Sequence, residues 1–190
     1  MSQEEKMKKD LLDEVNAYIS QLVYLKDVHA VYDHIDKLKP KLQSAPNFTL
    51  ITEAALIDSL MMTLARFYDK SEKAKTIPEL IKKCKKNVNL FFPKQNTLPC
   101  LEKFETKLKE DEYIWTAIPV ILHRRDSIFA HNDKKFFGEK IKNDKTYLPF
   151  YKIWALVDFT EEILNYLFSQ LSSDERIKTK YNSDLENLFK

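Results

Sequence analysis

Leu50, Ala54, Ile57, Met61, Leu64 and Tyr68 recur at alternating steps of four and three, and Leu56, Leu60 and Phe67 widen the stripe. That spacing returns each apolar side chain to one side of a 3.6-residue turn, so a core helix is predicted over about residues 48–68. The same rule applied to Leu11, Val15, Tyr18, Leu22 and Leu25 gives a first helix or helix pair over about residues 4–38. A last long helix over about residues 149–171 follows from Trp154, Val157, Glu161, Leu164, Phe168 and Leu171. Between these, Thr76 as N-cap, Pro78 in the first turn and Glu79 completing a capping box open a shorter helix that runs to about residue 86. Pro40 and Pro46 mark a loop at residues 39–47, and Pro93 and Pro99 make residues 87–100 read as irregular before a short charged helix at 101–110. Residues 113–122 are strongly apolar, but Pro119 lies among them, so either a helix begins near residue 118 or a longer one kinks there.

Composition narrows the fold class. The 190 residues hold a single glycine, Gly138. One glycine excludes the glycine-rich phosphate loops of dinucleotide and P-loop folds and argues against a sheet built on tight hairpins. What remains is an all-α bundle of four to five main helices with short accessory helices, read as one domain over residues 1–190 with a polar C-terminal extension at 173–190. Apolar residues at 44% and charged residues at 32% suit a packed core with polar outer faces. A formal charge of +2 leaves any nucleic-acid site to a local patch. Cys84 and Cys100 have no partners at metal-ligand spacing, which predicts free thiols in a reducing cytoplasm and no metal or other cofactor. The charged N-terminus is unlike a signal peptide, and no run approaches the ~20 apolar residues that cross a bilayer, so no membrane association is expected.

The candidate chemistry sits at residues 122–133, Leu-His-Arg-Arg-Asp-Ser-Ile-Phe-Ala-His-Asn-Asp. On a straight helix Arg125 falls in line with Ile114, Ile118, Ile121 and Ile128, where a guanidinium must find an anion because burying it unpaired is costly. Arg124 and His131, seven residues apart, project within about 20° of each other and roughly 10 Å apart along the axis. Two other readings stand beside a catalytic one. Arg125 can salt-bridge a buried acid such as Asp58 or Asp158 while His131 caps the helix, and Ser127 with His131 has the spacing of a nucleophile and base but no third member. Arg66 can reach Asp69 or a partner elsewhere, whereas His29, His34 and His123 have no carboxylate or cysteine at ligand spacing. Lysines cluster twice, at Lys82, Lys83, Lys85 and Lys86 and again from Lys134 and Lys135 to Lys145 around Phe136, Phe137 and Gly138. Each cluster is either a solvated surface or a track for a phosphate backbone.

Arg125-Asp-Ser-Ile-Phe-Ala-His131 resembles the signature of the HEPN superfamily: an arginine, a polar residue and a histidine a few residues on. Phe129-Ala-His-Asn-Asp133 and Arg66-Phe-Tyr-Asp69 are similar to its AbiU-type abortive-infection branch, and the resemblance covers residues from about 10 to 172. It implies an α-helical bundle that dimerises and brings two motifs together, in many members as a metal-independent ribonuclease of toxin or phage-defence type. RNA carries its own nucleophile in the 2′-hydroxyl, so cleavage needs a base, an acid for the 5′-oxygen and cations for the phosphorane, roles open to histidine and arginine. Under that resemblance Arg125 clamps the scissile phosphate, His131 transfers protons and Asp126 orients one of them, with Arg124, Asn132, Lys134 and Lys135 as substrate contacts. The partners it implies are a second copy of the chain, an RNA substrate and a neutralising antitoxin protein. A non-catalytic helical module that binds a protein or nucleic acid is the alternative.

Overall fold

A computed structural model describes residues 2–71, 74–91, 94–126 and 148–172. Every regular element among them is helical, in agreement with the all-α expectation. The first is one continuous helix, α1 (Gln3–Leu38), about 54 Å long at 1.5 Å per residue. A capping box starts it. Ser2 Oγ accepts from the Glu5 amide at 3.1 Å, and the Ser2 amide donates to Glu5 Oε2 at 2.6 Å. Leu11, Val15, Tyr18, Leu22 and Leu25 are buried as their spacing predicts, and Val28 and Ile35 carry the stripe onward.

α2 (Pro46–Phe67) folds back along α1, and its two halves differ. Leu60, Met61, Leu64, Ala65 and Phe67 are buried, whereas Leu50 and Ile51 are 67% and 68% exposed and Ala54 is exposed too. The core stripe predicted for the whole helix therefore holds only for its C-terminal half; among the described residues no element covers the outer face of the first two turns. On length and mean hydropathy alone α2 is long and apolar enough to cross a bilayer, a test that core helices of soluble proteins also pass.

α3 (Ile77–Lys86) begins where Thr76 Oγ1 accepts from the Glu79 amide at 3.4 Å. Only that half of the predicted capping box forms, because the Glu79 carboxylate binds Lys82 instead, at 2.6 Å. Three lysines of the first cluster are held by acids: Lys82 by Glu79, Lys83 by Glu14 and Lys85 by Glu105. A 3-10 turn (Val88–Leu90) leads to α4 (Lys94–Glu110), which overturns the expectation of irregular chain up to residue 100. Pro99 lies in the second turn of α4, where a proline costs a helical bond; the burial of Leu101 and Phe104 on the next turn offsets it.

Next come α5 (Glu112–Trp115) and α6 (Ala117–Arg124), with the chain breaking at Thr116. The break explains Pro119. It occupies the first turn of a new helix, where the missing N–H would have no intrahelical partner anyway. α7 (Phe150–Leu171) packs along α1 and buries Ile153, Leu156, Val157, Ile163, Leu164 and Leu167. Glu161, on the predicted apolar stripe, is accommodated because Lys26 of α1 donates to both its carboxylate oxygens at 2.6 and 2.7 Å. Tyr68, at the end of α2, is tied to α7 by a buried 2.7 Å hydrogen bond to Thr160 Oγ1. That bond fixes the place of the next residue, Asp69. The polar extension at 173–190 lies outside the described residues.

Candidate functional site

The end of α6 carries the two arginines over the end of α2. Beyond Arg124 the backbone widens into a π turn at Arg125 and Asp126. Ser127, His131, Asn132, Lys134 and Lys135 lie outside the described residues, as does the lysine-rich stretch around Gly138.

Arg125 is held by two carboxylates of its own chain. Its Nε donates to Asp126 Oδ1 at 2.7 Å, and Nη1 lies 2.8 Å from Asp69 Oδ2. Nη2 takes no partner among the described residues. The acids named for Arg125 from sequence, Asp58 and Asp158, are not the ones it meets. Arg66 does not take Asp69 either; it is exposed and lines a separate cleft with Asp10, Asp13 and Lys75. Asp69 is itself oriented by the Ser71 amide, which donates to Oδ1 at 3.0 Å. That backbone N–H, and the Arg125 guanidinium after it, hold the Asp69 carboxyl below the usual carboxylate range. On Arg125 the Asp126 hydrogen bond is the largest influence, stabilising the charged guanidinium further. The sequence leaves Arg66 either Asp69 or a partner elsewhere; only tertiary structure brings Asp69 to Arg125.

Arg124 occupies a different environment. It is half-buried over α2, where its Nε is sealed from solvent without a hydrogen-bond partner among the described residues. Burial weakens its hold on the proton, and Asp58 is the charge that opposes this. Asp58 responds in kind: burial raises its carboxyl pKa, and Arg124 pulls it back. The structure thus separates the two arginines, Arg125 at the rim with two acids and Arg124 inward beside Asp58.

His29 is the other correction. One turn on from it, Asp33 Oδ1 lies 3.2 Å from Nε2, and the ring sits 3.4 Å, centroid to centroid, from Trp154. Burial lowers its pKa in spite of Asp33 and Asp158 nearby.

A cleft of about 470 Å³ adjoins the Arg125 site, between the end of α2, the start of α3, the second half of α4 and Ile118 of α6. Asp69 lines this cleft and also holds Arg125, so the guanidinium and the cleft share a wall.

No curated protein and no solved structure matches the chain. A family model described as AbiU2, of the HEPN class, matches residues 8–188, which spans every described helix except the first turns of α1. On that match, with an all-helical architecture and the arginine motif at the end of α6, the chain belongs to the HEPN AbiU2 family.

Proposed function

We propose that this chain is a metal-independent endoribonuclease of toxin or phage-defence type that works in the cytoplasm as a homodimer, with a composite Arg/His site where the two copies meet. The observation that carries the reading is the Arg125 guanidinium, positioned at the rim of the bundle by Asp126 and Asp69 at 2.7 and 2.8 Å. A guanidinium whose Nε and one Nη edge are fixed has its plane set, and phosphate binding needs that plane in a defined orientation. In the reaction a base removes the 2′-hydroxyl proton, O2′ attacks phosphorus, the bond to O5′ breaks, and an acid protonates O5′. The products are a 2′,3′-cyclic phosphate and a 5′-hydroxyl. His131 is the proton-transfer group, Arg125 clamps the phosphate and Asp126 orients Arg125. Arg124, Asn132, Lys134 and Lys135 contact the substrate. Each chain supplies one motif histidine, so a second copy across a two-fold axis supplies the other proton-transfer group. A neutralising protein would keep such an enzyme silent until needed.

The same ion pairs favour a second reading. Two carboxylates around one guanidinium leave the group with net negative charge, which suits a structural clasp in a non-catalytic module that binds a protein or nucleic acid. Cleavage of RNA by the purified full-length chain in the presence of a chelator separates the two. The expected products end in 2′,3′-cyclic phosphate, and His131→Ala and Arg125→Ala each reduce the rate by about 100-fold or more. Full activity in either variant would refute the assigned roles, and harmless RNA binding without cleavage would favour the module.

A further inference from the structure

We propose that the cleft beside Arg125 is a nucleotide subsite, taking the base and phosphate of the nucleotide next to the scissile phosphate; this placement rests on the ribonuclease reading. The charge pattern inside the cleft points to an anion. Three carboxylates line it, and each has a cation at ion-pair distance: Asp69 has Arg125 at 2.8 Å, which it shares with Asp126, Glu79 has Lys82 at 2.6 Å and Glu105 has Lys85 at 2.8 Å. Lys70 and Lys109 line it as well, and neither has a carboxylate at ion-pair distance among the described residues. Among the described residues the cleft therefore presents two ammonium groups, both on exposed lysines, with no carboxylate at ion-pair distance.

Its floor is of another kind. Leu108, Ile118 and Pro78 are partly buried there, and the ring of Tyr68 lies among them with its hydroxyl already committed to Thr160. A ligand that satisfies both parts carries a flat, weakly polar body and one or two negative charges, which describes a nucleotide. The volume of about 470 Å³ falls in the range of small-molecule sites. Lys70 follows Asp69 directly in the chain and lines the same cleft as Asp69, the acid that holds Arg125. An RNA strand whose phosphate rests on the Nη2 edge of Arg125 can place its neighbouring nucleotide in the adjoining cleft.

The test uses the full-length His131→Ala protein, which holds RNA without cutting it, and adds the double substitution Lys70→Ala/Lys109→Ala, two exposed positions outside the core. Adenosine 5′-monophosphate and inorganic phosphate are titrated by calorimetry, and a labelled oligoribonucleotide by fluorescence anisotropy. The nucleotide is expected to bind more tightly than inorganic phosphate, and the double substitution to weaken both nucleotide and RNA by about tenfold, as the loss of two charge contacts implies. Unchanged nucleotide affinity in the double variant overturns the proposal. Loss of nucleotide binding with unchanged RNA affinity also overturns it, since the cleft then serves a free nucleotide. A parent protein that cuts no RNA, yet binds it in a Lys70- and Lys109-dependent manner, leaves the subsite standing and removes only the ribonuclease reading.

Discussion

The hydrogen bond between Tyr68 and Thr160 has a direction that can be worked out, and the direction predicts unequal mutant costs. Thr160 Oγ1 lies 2.7 Å from the Leu156 carbonyl, which can only accept, so the single hydroxyl proton of Thr160 goes there. Tyr68 must then donate to Thr160 across the 2.7 Å contact. Burial pushes the Tyr68 phenol up, so it keeps its proton and stays a donor at every pH of interest. Tyr68→Phe removes the donor and leaves Thr160 with its own proton still placed, a loss of about 1 kcal/mol. Thr160→Val leaves a buried hydroxyl donor with no acceptor, and that desolvation penalty is about 1–3 kcal/mol. The double variant has nothing left unsatisfied, so it should cost less than the sum of the singles, with a coupling of about 1 kcal/mol. Urea denaturation followed by circular dichroism reads these differences as midpoint shifts at constant slope. In thermal melts about 2–4 °C accompanies each kcal/mol for a chain of this size. Additive costs, or a larger cost for Tyr68→Phe than for Thr160→Val, would contradict the assigned direction.

The two halves of α2 should differ in the same melts: Leu64→Ala, at 0% exposure, costs about 2–5 kcal/mol, and Leu50→Ala, at 67%, stays within about 0.5 kcal/mol. Equal costs would mean that the outer face of the first turns is covered in solution. Thr76→Ala removes the cap of α3 and should destabilise by about 1 kcal/mol or more, while Thr76→Ser recovers most of it; no difference between the two would discount the cap. Because burial holds the His29 pKa below its ordinary value, the unfolded chain takes up that proton first, so this residue makes stability fall as pH drops below about 6.5. His29→Gln should flatten the decline between neutral and mildly acid pH in urea midpoints, and an unchanged slope would rule the residue out. Asp126→Asn keeps an oxygen for Arg125 Nε while removing one negative charge, so RNA affinity measured by anisotropy should rise and its salt dependence steepen; unaltered binding would mean that Arg125 does not meet phosphate.

Helical period made the bundle legible because α1 buries the stripe its spacing sets out, and α7 buries Val157, Leu164 and Leu171 of its own and leaves Trp154, Glu161 and Phe168 partly buried. It did not distinguish an apolar face that is covered from one that is open. Leu50 and Ala54 have the same spacing as Met61 and Leu64, and the difference between them lies in the helices around them. Pro99 misled for a related reason. Proline disfavours a helix locally, but Leu101 and Phe104 gain enough burial on the following turn for α4 to continue through it. Thr116 gave no local signal at all. Its side chain binds the Glu112 carbonyl and accepts from Lys152 at 3.0 Å, and the second contact depends on where α7 packs.

The site was legible in its cations and illegible in their partners. By spacing Arg125 falls in line with Ile114 and Ile121, both buried, and so had to meet an anion; that followed from the cost of an unpaired charge, although the chain breaks at Thr116 between them. Which anion it meets is decided by how the end of α2 reaches α6, and the Tyr68 to Thr160 bond one residue earlier helps set that. The two acids also differ in exposure. Asp69 is locked by the Ser71 amide and only 26% exposed, whereas the Asp126 side chain is 52% exposed and, among the described residues, pairs with Arg125. A phosphate arriving at Arg125 can use the Nη2 edge, which takes no partner among the described residues, while Asp126 on Nε and Asp69 on Nη1 keep the guanidinium plane in place. An arginine held in this way is oriented by both acids and keeps one edge for an anion, so charge neutralisation in the resting chain and phosphate binding in the working one need not conflict.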